Sequence, residues 1–201
     1  MPILRENFDV EIFLSELQLQ CKIFEHAIAR LEIAAEHWVK AHNGIDDGGR
    51  FSPLEIIAEC TVCLSAMSAI RKILCPRGPN LTKQSRSRGK VLYDLLQRPD
   101  ITSISQSVVR NSWEHHDEKL DSILSKREVG NTQLTQLHIS PEPPNQGTIV
   151  LRRFDPVNLV IYFSGNAVPL RPSMKEIQNL KKEIQRSYDV LQSEIIKISP
   201  L

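Results

Sequence analysis

Apolar residues recur at steps of three and four near the N-terminus, which predicts one helix from about Asn7 to His42. The stripe that they form on one helix face comprises Phe13, Leu17, Cys21, Phe24, Ile28, Leu31, Ala35 and Trp38. Asn43-Gly44 ends this helix, because glycine readily adopts the left-handed conformation that closes a helix C-terminus. We therefore expect a long amphipathic helix whose stripe faces a core.

A second helix is predicted from Ser52 to about Leu74, before the turn-forming run Cys75-Pro76-Arg77-Gly78-Pro79. Ser52 and Glu55 have the spacing of a capping box, and Pro53 suits the first helical position. Its residues are apolar on nearly every face, so we expect this helix to be the most buried one.

The later elements are shorter and change in type after Gly130. Helices are predicted at about 87–97, which Pro99 ends, and at about 104–127. Four short strands follow at 132–139, 148–154, 157–163 and 167–170, with a hairpin turn at 164–166. Ser173 and Glu176 form a second capping box, which predicts the start of a final amphipathic helix. The expected fold is mostly α: one domain, residues 1–201, built as an antiparallel helical bundle with a small antiparallel β insertion at 132–171 before the C-terminal helix.

Composition narrows the class of protein. The chain has 201 residues, of which 41% are hydrophobic, so it has enough apolar residues for a core and too many for a disordered chain. Its formal net charge of +1 gives no global attraction to nucleic acid, so such binding would need a local basic patch. No apolar run reaches the length of a transmembrane helix, and the first residues lack a secretory signal pattern, so we expect a cytoplasmic protein.

The four cysteines include a Cys-x-x-Cys pair, Cys60 and Cys63. Such a pair can bind zinc or perform redox chemistry, but this one lies in a predicted helix without a second pair to complete a tetrahedral site. Buried thiols in a reducing compartment are the simpler interpretation, and no metal or other cofactor is expected.

A local basic patch does occur between Arg71 and Lys90, where seven basic residues and no acidic residue are found. As a phosphate-binding surface it would use Arg71, Lys83, Arg86, Arg88 and Lys90. The alternative is an exposed loop followed by an ordinary helix start.

The helix predicted at 104–127 carries the densest chemistry, Arg110-Asn111-Ser112-Trp113-Glu114-His115-His116. At about 100° per residue, one face collects Val109, Trp113, His116, Leu120, Ile123 and Leu124, which makes it the core face. His116 is therefore expected to be structural, whereas Asn111 and His115 lie together at the edge of the polar face. A solvated helix face with a surface ion pair between Arg110 and Glu114 is the alternative.

The order of these residues resembles the R-x(4–6)-H motif of the HEPN superfamily (higher-eukaryote and prokaryote nucleotide-binding domains). The run 109–121 and the later Phe154-Asp155-Pro156 are similar to a bacterial branch with an "RNxxEHxDERLD" segment, an "FDP" segment, a hairpin and a last helix. The resemblance extends over residues 86–180 and implies an HEPN-like helical bundle. Lys119 stands where that branch usually has arginine.

Many members of that superfamily are metal-independent endoribonucleases that act as homodimers. By resemblance, Arg110 would stabilise charge on the scissile phosphate, and His115 would act as general acid or base. Asn111 would orient the phosphate or His115, and the RNA 2′-hydroxyl would be the nucleophile.

Three hypotheses follow from the sequence. The first is a ribonuclease of a toxin–antitoxin or defence system, with an RNA substrate and a cognate antitoxin or other partner protein. The second is a non-catalytic HEPN-like dimer that binds a protein or a nucleotide, and the third is a thiol or zinc protein built on Cys60 and Cys63. No membrane partner is expected. The carboxylates of Glu114, Asp117, Glu118 and Asp121 oppose RNA binding near His115, unless basic groups of a partner neutralise them.

Overall fold

The described elements follow the order that the sequence predicts: helices first, then four strands, then a last helix. The computed structural model describes residues 2–46, 48–49, 52–78, 81–106, 116–125, 133–163 and 166–198. In these residues the helices are α1 (Pro2–His42), α2 (Pro53–Leu74), α3 (Lys83–Leu95), α4 (His116–Ser125) and α5 (Leu170–Ile198). The strands are β1 (Gln133–Ile139), β2 (Thr148–Asp155), β3 (Val160–Phe163) and β4 (Asn166–Pro169). The protein is thus mostly helical, with a small sheet before the last helix.

The helix ends follow the local sequence at two of the predicted places, and the start of α3 differs from the prediction. α1 ends at His42, and Gly44, two residues later, has a φ of 75° in the left-handed region. Ser52 and Glu55 form the predicted capping box, since the Ser52 backbone N–H donates to the Glu55 carboxylate and the Glu55 N–H donates to the Ser52 hydroxyl. α3 begins earlier than predicted, because the hydroxyl of Thr82 accepts the Ser85 N–H and caps the helix there.

The predicted capping box at Ser173 and Glu176 is wrong. α5 already begins at Leu170, whose N–H donates to the carbonyl of Leu159 at 2.9 Å. Ser173 is fully buried inside the helix, and the Glu176 carboxylate binds backbone groups elsewhere in the chain. Pro172 is compatible with this earlier start because a first-turn residue needs no intrahelical N–H bond.

The sheet has the order β1-β2-β3-β4 and is mixed, so the predicted antiparallel arrangement is only partly correct. β2, β3 and β4 are antiparallel, but β1 and β2 are parallel, with Gln133 opposite Thr148 and Ile139 opposite Phe154. The linker 140–147 contains three prolines and makes no tight hairpin, so it returns the chain to the start of β1 before β2 begins.

The β2–β3 connection is organised by Asp155. Its carboxylate is buried and accepts the backbone N–H groups of Val157 and Asn158, both at 2.9 Å, and the Asn158 side-chain amide at 2.8 Å. Leu159 closes the turn with a φ of 52°, a conformation that is unfavourable for a branched side chain. The strand predicted from Val157 therefore begins only at Val160, and Phe154-Asp155-Pro156 is a structural turn motif.

The chain divides into two compact units that interleave in sequence. The first unit comprises 1–24, 66–105 and 173–201, and the second comprises 25–65 and 106–172. Buried side chains of the first unit include Leu17, Phe24, Ile70, Leu92, Ile177 and Ile184. Those of the second unit include Ile28, Leu31, Cys63, Phe154, Ile161 and Phe163. The predicted β insertion lies wholly within the second unit.

α2 is the most buried helix in the described part of the chain, as predicted, although Leu54, Ala58 and Val62 form an exposed stripe on it. One other predicted burial differs in the structure. Leu124 of α4 is 45% exposed although the angular argument put it on the core face, because it lies about 50° from the centre of that face and one residue from the end of α4.

α2 is also long and apolar enough, at a mean hydropathy of 1.5, to cross a membrane by length and composition. Of that apolar window 44% is buried inside the protein, and the core helix of a soluble protein passes the same test of length and composition. The other described helices do not meet the same criteria.

Candidate functional site

The predicted catalytic residues Arg110, Asn111 and His115 lie outside the described residues. His116 is the first residue of α4, and the prediction that its side chain faces the core falls outside the described part as well. Two members of the acidic run, Glu118 and Asp121, are exposed on α4, as the angular argument predicts. The described site is therefore built from the predicted phosphate-binding residues, all of which belong to the first unit.

α3 separates these basic residues onto two faces. At about 100° per residue, Lys83, Arg86 and Lys90 fall within an arc of about 60°, and all three are exposed. Arg88 points roughly 170° away from the middle of this arc. We call Lys83, Arg86 and Lys90 the cationic stripe.

The cationic stripe has no neutralising partner in the described part of the chain. No carboxylate there forms an ion pair with these three side chains, and the first turn of α3 contains no acidic residue. The N-terminus of a helix carries a partial positive charge of its own. Lys83 and Arg86 add to that charge, so this end of α3 is a region of positive potential suited to phosphate groups.

The opposite side of α3 borders a cleft of about 560 Å³ in the first unit. α1 contributes Val10 and Phe13, and α3 contributes Gln84, Ser85, Ser87, Arg88, Val91 and Leu92. We call it the α3 cleft. Its lining mixes an aromatic ring, a guanidinium, two hydroxyls and an amide, which is the mixture found in sites for small polar ligands with a flat apolar part.

Arg88 and Phe13 contact each other in the lining of the α3 cleft. The guanidinium carbon of Arg88 lies 4.5 Å from the centre of the Phe13 ring, within the range of a cation–π contact. The Arg88 Nε atom is shielded from solvent and has no hydrogen-bond partner among the described groups. The terminal nitrogens are therefore the part of Arg88 left to bind an anion in the cleft.

The position of α3 depends on close packing of Gly89 against Pro76. Gly89 is buried on the side of α3 that approaches Pro76, and a Cβ atom added to it would lie 2.5 Å from the Pro76 Cδ atom. Only glycine permits this approach without a shift of the helix. Gly89 therefore allows α3 to pack closely against Pro76, and this packing positions the neighbouring residue Arg88.

Arg71, the fifth predicted binding residue, does not join either group. It lies in the last turn of α2, is half-buried, and already takes part in an interaction within the protein. The structure therefore brings together Lys83, Arg86 and Lys90, sets Arg88 apart in the α3 cleft, and leaves Arg71 outside both.

Phe13 is the functional candidate that the sequence did not single out. Its spacing with Leu17 and Cys21 assigns it to the core stripe of α1, but it lies at the end of that stripe and remains half-buried. Periodicity identifies a helix face and carries no information about which distant residue meets it, so no sequence signal pairs Phe13 with Arg88.

The cysteine pair is confirmed as buried. Cys60 and Cys63 are 1% and 0% exposed in α2, and both are free thiols. Burial raises the pKa of both thiols well above the ordinary value, with the Glu59 carboxylate as a further cause, so both stay protonated at neutral pH. Among the described residues, no three His, Cys, Asp or Glu side chains are arranged to hold a metal ion.

Comparison with protein-family models, with curated proteins and with solved structures finds no match to this chain.

Proposed function

We propose that this protein binds single-stranded RNA through α3 and cleaves it as a metal-independent endoribonuclease of the HEPN type. The observation that carries the proposal is the cationic stripe, which is exposed and unpaired in the described part of the chain, on the same helix that sets Arg88 over Phe13. Lysine and arginine side chains that are free of carboxylates release counterions from a phosphate backbone, and an aromatic ring with a guanidinium accepts a stacked base.

The chemistry of the proposal rests on the resemblance of residues 110–115 to the HEPN motif. Arg110 stabilises the charge that develops on the scissile phosphate, and Asn111 orients the phosphate or His115. His115 removes the proton from the 2′-hydroxyl or protonates the leaving 5′-oxygen. The hydroxyl oxygen attacks phosphorus while the bond to the leaving oxygen breaks, which gives a 2′,3′-cyclic phosphate and a 5′-hydroxyl.

The proposed setting is a cytoplasmic homodimer with an HEPN-like helical bundle, in a toxin–antitoxin or defence system, controlled by an antitoxin or other partner protein. The exposed carboxylates Glu118 and Asp121 give such a partner an acidic surface to bind.

Cleavage of labelled RNA in EDTA tests the catalytic part. The wild-type protein should produce fragments with 2′,3′-cyclic ends, and both Arg110→Ala and His115→Ala should reduce the rate by at least about 100-fold with unchanged thermal unfolding. Equal cleavage by His115→Ala and wild type would reject this site.

Binding to a single-stranded RNA that carries a 2′-O-methyl group at every position, and therefore lacks the nucleophilic hydroxyl, tests the α3 part. Replacing Lys83, Arg86 and Lys90 by glutamine should lower the slope of log affinity against log salt by about 2, since each lost phosphate contact lowers it by about 0.7. Glutamine at the exposed Lys175 and Lys182 of α5 is the charge-removal control and should change the slope less. Equal effects of the two sets would show that α3 is not the binding surface.

The α3 cleft also favours a second candidate function, the binding of a single nucleotide without cleavage. Its volume of about 560 Å³ lies within the usual range for small-molecule sites, and one aromatic ring with one cation matches a base and a phosphate. Calorimetric titration with mononucleotides should then show saturable binding that Arg88→Gln and Phe13→Leu both weaken. Saturable mononucleotide binding with no RNA cleavage by the wild-type protein would select this function over the first.

A further inference from the structure

A second polar row crosses the sheet of the second unit. The strand register places His138 of β1 opposite Arg153 of β2, and Arg153 opposite Tyr162 of β3. Residues in register on adjacent strands point to the same face, and their strands are about 4.8 Å apart. The three side chains therefore form one row, which continues into the exposed Ala167 of β4.

The two faces of the sheet differ in solvent exposure at these neighbouring register rows. The next register row, Phe154, Ile161 and Val168, points to the other face and is at most 1% exposed. Arg153 and Tyr162 are half-buried. The row thus lies on the side of the sheet that the core of the second unit leaves partly open.

Arg153 and Tyr162 are stacked and otherwise uncommitted. The guanidinium carbon of Arg153 lies 3.7 Å from the centre of the Tyr162 ring, so its plane covers one face of the ring. In the described part of the chain Arg153 has no ion pair, and the Tyr162 hydroxyl has no hydrogen-bond partner. Asp155, two residues along β2 from Arg153, is buried, and its carboxylate accepts the amides of its own turn.

We propose that the Arg153–Tyr162 stack is a second contact for single-stranded RNA, in which a base stacks on the guanidinium plane and its phosphate binds the guanidinium edge. Unpaired RNA bases stack on aromatic side chains and on arginine planes, and exposed sheet faces present such side chains at a fixed spacing. A duplex keeps its bases stacked on each other and cannot use this contact. The inference rests on the proposed RNA-binding function, and it adds a surface that the cationic stripe and the α3 cleft do not contain.

Binding of a fluorescent single-stranded RNA with 2′-O-methyl groups at every position, measured over a range of salt concentrations, tests the inference. Arg153→Gln removes both the stacking plane and a phosphate contact, so it should weaken binding about 5- to 100-fold and lower the salt slope by about 0.7. Tyr162→Leu removes the ring that supports the stack and should weaken binding with an unchanged salt slope. Arg152→Gln is the matched control, because it removes the same charge from the neighbouring position on the opposite face of β2. Arg152→Gln should leave the affinity for RNA and the salt slope near their wild-type values. Thermal unfolding of every variant checks that the fold is retained.

The outcomes separate the two proposals. If wild-type protein binds no RNA, both proposals fail. If binding responds to the α3 variants but not to Arg153→Gln and Tyr162→Leu, RNA binding stands and the sheet contact is rejected. Equal losses with Arg152→Gln and Arg153→Gln would also overturn the sheet contact, because charge alone would then explain the effect. A preference for the single strand over a duplex of the same sequence, lost in Tyr162→Leu, supports it.

Discussion

The carboxylate of Glu176 accepts a hydrogen bond of 2.8 Å from the backbone N–H of Ser103, a residue 73 positions earlier in the chain. Its second oxygen accepts the N–H of Ile104 at 2.9 Å. Ser103 and Glu176 are 8% and 9% exposed, so these amides have little water as an alternative partner. The bond ties α5 to the turn that directly precedes the segment with the proposed catalytic motif.

Glu176→Gln should destabilise the protein by about 1–3 kcal/mol, because the new amide group can accept only one of the two N–H bonds and places its own donor against the other. Urea denaturation monitored by circular dichroism measures the change. Asp189→Asn on the exposed face of α5 is the control, since it retains an oxygen for the Gln185 amide. A loss below about 0.5 kcal/mol in Glu176→Gln would contradict a structural role for this carboxylate.

Gly89→Ala should also destabilise the protein, although alanine is favoured over glycine in helices by about 1 kcal/mol. The added Cβ would lie 2.5 Å from the Pro76 Cδ atom and 3.1 Å from the Leu74 carbonyl oxygen, so α3 must shift. Overpacking of this kind costs about 1–3 kcal/mol, which outweighs the gain in propensity. Ser87→Ala on an exposed position of α3 should be neutral or slightly stabilising in the same thermal unfolding assay. Stabilisation by Gly89→Ala would mean that α3 and Pro76 are not in close contact.

Gln97→Gly should stabilise the protein by about 0.5–1 kcal/mol. Gln97 and Arg98 follow α3 with φ values of 56° and 54°, in the left-handed region that glycine adopts without a Cβ clash. The gain is reduced by the greater backbone freedom of glycine in the unfolded chain. Gln97→Ala keeps the clash and serves as the control in chemical denaturation. Equal stabilities of the two variants would show that Gln97 is not strained.

The sequence predicts the elements of this fold well because local patterns determine them. The stripe of α1, the Ser52–Glu55 box and the strands after residue 132 all follow from periodicity, capping and turn chemistry. The failures involve partners that are distant in sequence. Ser173 and Glu176 have capping-box spacing, but the carboxylate binds Ser103, and the start of α5 is set by Leu159.

In the candidate site, too, local sequence predicts which residues take part, but it does not predict their partners from distant parts of the chain. The composition of α3 identifies Lys83, Arg86, Arg88 and Lys90, and helical geometry correctly separates Arg88 from the others once the bounds of α3 are known. The partner of Arg88 is Phe13, whose own pattern indicates only a core position. The parallel pairing of β1 and β2 likewise depends on the path of the linker 140–147, which strand patterns do not encode.

The buried thiols of Cys60 and Cys63 predict a loss of stability at alkaline pH. Their pKa values in the folded protein are raised above the value of 9.0 for an ordinary thiol, chiefly by burial. Well below pH 9 both thiols are protonated in the folded and unfolded states, so they contribute no pH dependence there. Above pH 9 the unfolded chain loses these protons and the folded protein keeps them, so the free energy of unfolding falls as pH rises. The limiting slope is about 1.4 kcal/mol per pH unit for each thiol.

Chemical denaturation between pH 8 and pH 10.5 measures this slope, and the double variant Cys60→Ala, Cys63→Ala should flatten it. The variant is expected to be less stable at pH 8, because two buried sulfur atoms are removed, but the comparison depends on the slope alone. Cys75→Ala is the control, since Cys75 is only partly buried and its replacement should leave the wild-type slope. The pH range keeps this effect apart from carboxylate titration, which is complete well below pH 8. If the double variant and the wild type lose stability equally over this range, other groups cause the loss, and the two thiols ionise as readily in the folded protein as in the unfolded chain.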